Sequence, residues 1–126
     1  MQTFPFNYCQ MENVTCVDDF KQLAGASEES FCLSDGKNIL FANQNWLSSY
    51  GYASEEVVGQ TFKILQGPES DTAAIQALMD ASALKKPFQG TLTNYTSQGV
   101  VVEDTLTVTP FLDSHFIVRS SVVPKQ

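Results

Sequence analysis

Residues 41–71, FANQNWLSSYGYASEEVVGQTFKILQGPESD, decide how the rest of the chain is read. They open as a hydrophobic strand end, continue as a short helix with Trp46 and Leu47 on one side, and break at Gly51-Tyr52. A second short helix opened by Ser54 follows, and Gly67-Pro68 marks the exit. Helices this short are not stable alone and need a tertiary face to pack on. The flanking chain must supply that face as a sheet.

Upstream, Phe31-Cys32-Leu33 and Ile39-Leu40-Phe41 are short apolar runs on either side of Ser34-Asp35-Gly36-Lys37-Asn38, an Asp-Gly hairpin signal. From Asn13 onward, Val14, Val17, Phe20, Leu23 and Ala24 recur at helical steps, and Gly25 ends that amphipathic helix. The first ten residues, MQTFPFNYCQ, are aromatic-rich around Pro5 and follow neither period. Within the opening stretch, Asn43 and Ser54 have the chemistry of helix N-caps, and Glu55 and Glu56 suit the positive end of a helix dipole.

Downstream, Asp71 can cap a longer helix reaching about Leu84, with Ile75, Leu78, Met79 and Ser82 on one face. Lys85 and Lys86 suit its negative end, and Pro87 stops it. The period then becomes two. Phe88, Gly90, Leu92 and Asn94 make one row; Val100, Val102, Asp104, Leu106 and Val108 make the next; Phe116, Val118, Ser120 and Val122 make the last. Five strands, two before the helices and three after, specify an α+β layer: a five-stranded antiparallel sheet with helices on one face and an N-terminal flanking helix.

The totals exclude several functions. A chain of 126 residues supports one core. Its formal charge is -7 and its only adjacent basic pair is Lys85-Lys86, so neither a nucleic-acid backbone nor an acidic membrane is an expected partner. Three cysteines, Cys9, Cys16 and Cys32, with one histidine and no CxxC, do not make a closed zinc site. They fit reduced thiols of an intracellular protein, cytoplasmic or nuclear. No apolar run is long enough to span a bilayer and no secretory leader is visible.

The element order resembles the PAS fold, and residues 29–123 are similar to its light-oxygen-voltage (LOV) branch. The likeness rests on Phe41-Ala42-Asn43, on the run Tyr50-Gly51-Tyr52-Ala53-Ser54-Glu55-Glu56-Val57-Val58-Gly59, and above all on Phe62-Lys63-Ile64-Leu65-Gln66-Gly67-Pro68-Glu69-Ser70-Asp71. Asn94-Tyr95 with Gly99, and Pro110, complete it. The resemblance implies a flavin site, onto which Lys63, Gln66, Asn94, Asp104 and Ser120 map as candidate pocket residues. Phe62 stands where the family's photoreactive cysteine would be, so no photoadduct is expected. Gln66 and Asn94 match the family. Lys63 replaces an Arg and loses its fork; Thr61, Met79, Asp104 and Ser120 replace an Asn, an Arg, an Asn and a Gln. A carboxylate cannot donate to a flavin carbonyl unless protonated. On these departures no cofactor is expected, flavin mononucleotide included, and Phe62 is read as filling the vacated space.

Alternation alone places Asn94, Asp104 and Ser120 on otherwise apolar rows, which marks either a small-ligand pocket or a hydrogen-bonded or watered cluster. His115 falls on an outward row, as a surface residue rather than a haem ligand. No nucleophile beside a base and no inward carboxylate pair is visible, so catalysis is not expected. The stripe Val14, Val17, Phe20 and Leu23 either caps the outer face of its own sheet or, with Tyr95, Ile117 and Val123, meets another chain. The sequence therefore reads as residues 1–28, an extension and flanking helix, followed by a PAS domain over 29–124. The expected role is a non-photochemical dimerisation module of a larger signalling or transcription-regulatory protein, paired with itself or another PAS-containing protein. Small-molecule sensing through the pocket is the alternative.

Overall fold

A computed structural model describes residues 14–125. The segment 1–10, Cys9 and Asn13 lie outside the described residues. The elements run α1 (Val17–Gly25), β1 (Ser30–Ser34), β2 (Ile39–Ala42), α2 (Gln44–Tyr50), α3 (Ser54–Val57), a 3-10 turn (Phe62–Leu65), α4 (Thr72–Ala83), β3 (Phe88–Tyr95), β4 (Val101–Phe111) and β5 (His115–Pro124). The five strands form one antiparallel sheet in the order β2-β1-β5-β4-β3. The last strand in sequence thus lies at the centre, between the first hairpin and the second.

That order puts β1 under cover on both faces, and all five of its residues are buried. Cys32 points to the inner side, where Trp46, Leu47 and Tyr50 of α2, Val57 of α3 and Leu65 pack with Leu92, Leu106, Val108, Phe116 and Val118. Phe31 and Leu33 point to the outer side, where Phe20 and Ala24 of α1 pack with Phe111 and Ile117. The helical stripe therefore caps its own sheet. This corrects the dimer-interface expectation for Val14, Phe20 and Ile117, which are buried within the chain. The physical reason is that the outer row of β1 and β5 is apolar and adjacent, so intramolecular burial needs no second molecule.

Asn43 joins the two sides. It caps α2 by accepting from the Trp46 N–H at 3.0 Å, and the same Oδ1 accepts from the Phe31 N–H at 3.1 Å. Its Nδ2 donates to the carbonyls of Ala24 and Glu29, both at 2.8 Å, so one buried amide satisfies groups from α1, β1 and α2. Asp71 caps α4 through the Ala73 and Ala74 N–H groups. Ser54 does not act as the cap expected of it. It is the first residue of α3, Ala53 occupies the cap position with no side-chain acceptor, and Glu56 Oε1 reaches back to the Ala53 N–H at 2.8 Å.

Tyr95, placed by sequence in the interface set, is half-buried and used internally. Its hydroxyl accepts from the Glu69 N–H at 2.8 Å, and its ring lies so close over Gly67 that a Cβ there would overlap it. This ring fastens the LQGPESD loop to β3 and requires glycine at 67. Val17 and Leu23 are half-buried, and Val123 is exposed.

Candidate functional site

Between the inner face of the sheet and α2, the 3-10 turn and α4 lies a cavity of about 690 Å³. Its walls are mainly aliphatic and aromatic: Trp46, Phe62, Leu65, Ile75, Leu78, Leu92, Leu106, Val108, Phe116 and Val118 among them. Helix α4 turns the sequence-predicted face of Ile75, Leu78, Met79 and Ser82 toward it. Because that helix buries no residue completely, the space beneath it stays open. Phe62 is half-buried and lines the cavity; it does not fill it, contrary to the expectation from sequence. One ring on a short turn cannot close a volume of the size that holds drug-sized ligands, about 300–1,000 Å³.

All five candidate residues line this space: Lys63 and Gln66 are exposed, whereas Asn94, Asp104 and Ser120 are buried. The three buried ones come from β3, β4 and β5, and they are joined by a residue that strand alternation did not supply. Tyr50, at the last turn of α2, donates its hydroxyl proton to Asp104 Oδ2 at 2.7 Å and accepts from Asn94 Nδ2 at 2.9 Å. Ser120 Oγ donates to the same Oδ2 at 3.0 Å. Asp104 Oδ1 is buried and, among the described residues, has no hydrogen-bond partner. Tyr50 follows Trp46 by one helical turn, so its inward direction was legible in sequence. Its partner Asp104 lies 54 residues away, and that pairing was not.

Burial pushes the Asp104 carboxyl up to about 6, against the opposing pull of the Tyr50 and Ser120 hydroxyls. Burial likewise raises Tyr50, with the neighbouring Asp104 charge adding to it, and raises the Cys32 thiol well above its ordinary value. The Cys32 thiol is thus held in its unreactive protonated form. No cysteine lines the cavity among the described residues. The polar cluster is hydrogen-bonded, as one of the two sequence readings had it, but it leaves one buried oxygen of Asp104, a residue of the cavity lining, without a partner.

Lys37 and Lys85 join Lys63 in the lining, so three of the chain's seven basic residues stand at this cavity of an acidic protein. Asp35 is beside them, held below the usual carboxylate range by the Asn38 and Lys37 N–H groups of its turn. His115 shares the outer row, as alternation implies, but is not an ordinary surface histidine. Its ring meets Phe111 edge-on at 6.5 Å, and its Nδ1 is buried. It does not line the cavity. Among the described residues, no group of three or more His, Cys, Asp or Glu is placed to hold a metal, and no helix is long and apolar enough to cross a membrane. A second depression of about 510 Å³ is lined largely by polar groups such as Glu28, Glu29, Thr105 and Ser121, without the apolar walls of the first.

A family model described as PAS domain matches residues 28–123. The chain is 32% identical over 101 residues to phototropin-2 of Oryza sativa subsp. japonica, covering 77% of this chain and 11% of the relative. It is 35% identical over 72 residues to a blue-light-activated histidine kinase of Brucella canis, covering 57% of this chain and 15% of that protein. It therefore spans only a small part of the curated relatives it matches. In structure it is similar to the LOV domain of a blue-light-activated histidine kinase of Erythrobacter litoralis, with a TM-score of 0.73 at 21% identity over 78% of this chain and 98% of that one. It is also similar, with a TM-score of 0.74 at 25% identity over 84% and 83% of the two chains, to a structure described as "Flavin Analogue Sheds Light on Light-Oxygen-Voltage Domain Mechanism". These likenesses correct the expectation that no cofactor, flavin mononucleotide included, is to be sought. That expectation weighed side-chain replacements one at a time and assumed a filled pocket, whereas the cavity is open.

Proposed function

The chain belongs to the PAS domain family, of the kind found in signalling proteins, and on that premise we propose that it is a ligand-sensing module that holds a flavin in the cavity between its sheet and α2–α4. The observation that carries this reading is the apolar cavity of about 690 Å³ with Asn94, Asp104 and Ser120 gathered on its sheet wall. The residues fit the group in three respects. The walls are apolar and aromatic, Asp104 in the lining has a buried oxygen without a partner, and Lys37, Lys63 and Lys85 in the same lining can meet a charged tail. Asn94, Asp104 and Ser120 would hold the polar edge of the ring, and Lys63 and Gln66 the tail. Bound flavin would supply visible-light absorption and redox chemistry.

Phe62 at the wall and the buried protonated Cys32 support a module without cysteine-adduct chemistry. The dimerisation reading has less beneath it, because Val14, Phe20 and Ile117 are already covered. Val17, Leu23 and Val123 retain exposure, and contact with an attached effector or a second PAS-containing chain would run through them. The test is purification followed by incubation with flavin mononucleotide. The expected result is a visible flavin band that stays with the protein on gel filtration and is released on denaturation. Failure to retain flavin mononucleotide or riboflavin would sink the reading.

A further inference from the structure

Asp104 is the residue whose hydrogen bonding is incomplete where a ligand would sit. It is 2% exposed. The two hydroxyls that touch it, those of Tyr50 and Ser120, have one proton each to give, and the direction of each is fixed. Asn94 Nδ2 donates to the Tyr50 hydroxyl, so that hydroxyl turns its own proton to Asp104 Oδ2, and Ser120 gives its proton to the same oxygen. With Oδ2 taken by two donors, the site left for a proton on the carboxyl group is Oδ1. Asp104 lines the cavity, so a carboxylic acid protonated there has an O–H donor that no protein group among the described residues accepts, and an ionised one leaves an unpartnered anionic oxygen among apolar walls, which is costly.

Resting on the flavin-sensing reading above, we infer that recognition in this cavity is proton-linked through Asp104, whose Oδ1–H donates to a carbonyl acceptor of a neutral heterocycle. Ligand, ionised Asp104 and one proton from solvent combine into the complex; no covalent bond to the ligand forms. An acceptor edge is favoured over a cationic donor because Lys37, Lys63 and Lys85 line the same cavity and oppose a second positive charge. Other groups around Asp104 do not substitute for this proton. Tyr50 on α2 and Cys32 on β1 stay protonated, β3 and β5 contribute the non-titrating Asn94 and Ser120, and Asp35 is held ionised on its own turn. Among the described ion pairs, none involves Asp104. Burial raises its carboxyl to about 6, so the linkage falls in an accessible range.

The probe is riboflavin, which lacks the titrating phosphate of flavin mononucleotide, bound to the whole chain from about pH 5 to about pH 8 and read by quenching of flavin fluorescence. Affinity should fall as pH rises, approaching about tenfold per pH unit above the Asp104 midpoint. Calorimetry near neutral pH in two buffers of different ionisation enthalpy should count close to one proton taken up. Asp104→Asn, whose amide donates at every pH, should bind with a flat profile and take up none. If that variant does not fold, the wild-type profile and proton count still decide. A flat wild-type profile, tighter binding at high pH, or a slope that persists in Asp104→Asn overturns this inference while leaving the flavin-sensing reading intact. No riboflavin binding by either protein at any pH overturns this inference, and the flavin-sensing reading falls with it when flavin mononucleotide is not retained either.

Discussion

The two faces of the sheet solve the same burial problem in opposite ways. On the outer face, Phe20 stands at the centre of aromatic contacts, with ring centroids 6.1 Å from Phe31, 6.2 Å from Phe41 and 5.9 Å from Phe111. That cluster is packed from apolar side chains and closed by one helix, and its unpartnered polar atom is at the margin, the buried His115 Nδ1 beside Phe111. On the inner face, several helical segments pack with larger residues, yet a cavity stays open and a carboxyl group is buried with an oxygen unmatched. An unfilled volume and an unsatisfied polar atom both cost stability. A fold that closes one face so well does not lack the means to close the other, and the contrast points to the inner face as the functional one.

The largest effect should come from breaking the outer face. Phe20→Ala removes a fully buried ring from tilted and edge-on contacts, and the expected loss is about 3–5 kcal/mol in denaturant unfolding. A loss below about 1 kcal/mol would mean that α1 is not docked on this sheet. In the folded chain Asp104 titrates near 6, and the ordinary value is 3.8. The folded protein therefore holds the extra proton between these values, so the contribution of this group is complete below 3.8 and is lost as pH rises through 6. At about 1.4 kcal/mol per pH unit between the two values, Asp104→Asn should gain on the wild type by about 3 kcal/mol from pH 4 to pH 8, measured as paired unfolding curves. A pH-independent difference would refute the raised carboxyl.

The smallest of the three effects belongs to Tyr50→Phe. It keeps the ring against Trp46, 4.8 Å away between centroids, but removes the hydroxyl that joins Asn94 to Asp104. A cost of about 1–2 kcal/mol is expected, with the Asp104 midpoint moving up because a hydrogen bond that favours the ionised form is gone. Carboxyl titration followed by NMR would check the second half, and an unmoved midpoint would deny the bond.

Much of this contrast was legible in the sequence. Alternation put Asn94, Asp104 and Ser120 on the inner rows and Ile117 on the outer one, because side chains along a strand switch faces at every residue whatever the rest of the chain does. Helical spacing gave the Phe20 stripe and the cavity-facing side of α4. The caps at Asn43 and Asp71 follow from local donors and acceptors; Ser54 misleads because Ala53 and Glu56 settle that turn by the reciprocal bond alone.

What the sequence determined by itself is this local grammar: five strands, their faces, the helix ends, an acidic surface and the LQGPESD signature. Only the tertiary structure decided that α1 covers its own sheet, since that follows from β5 lying beside β1 and bringing Ile117 next to Leu33. Only it decided that Asn43 serves three elements and that Tyr50 finds Asp104, for these partners are distant in sequence and meet through strand order and register. The open cavity is the least local property of all. A void is the remainder left when every surrounding side chain has been placed, so no single position, Phe62 included, could announce it.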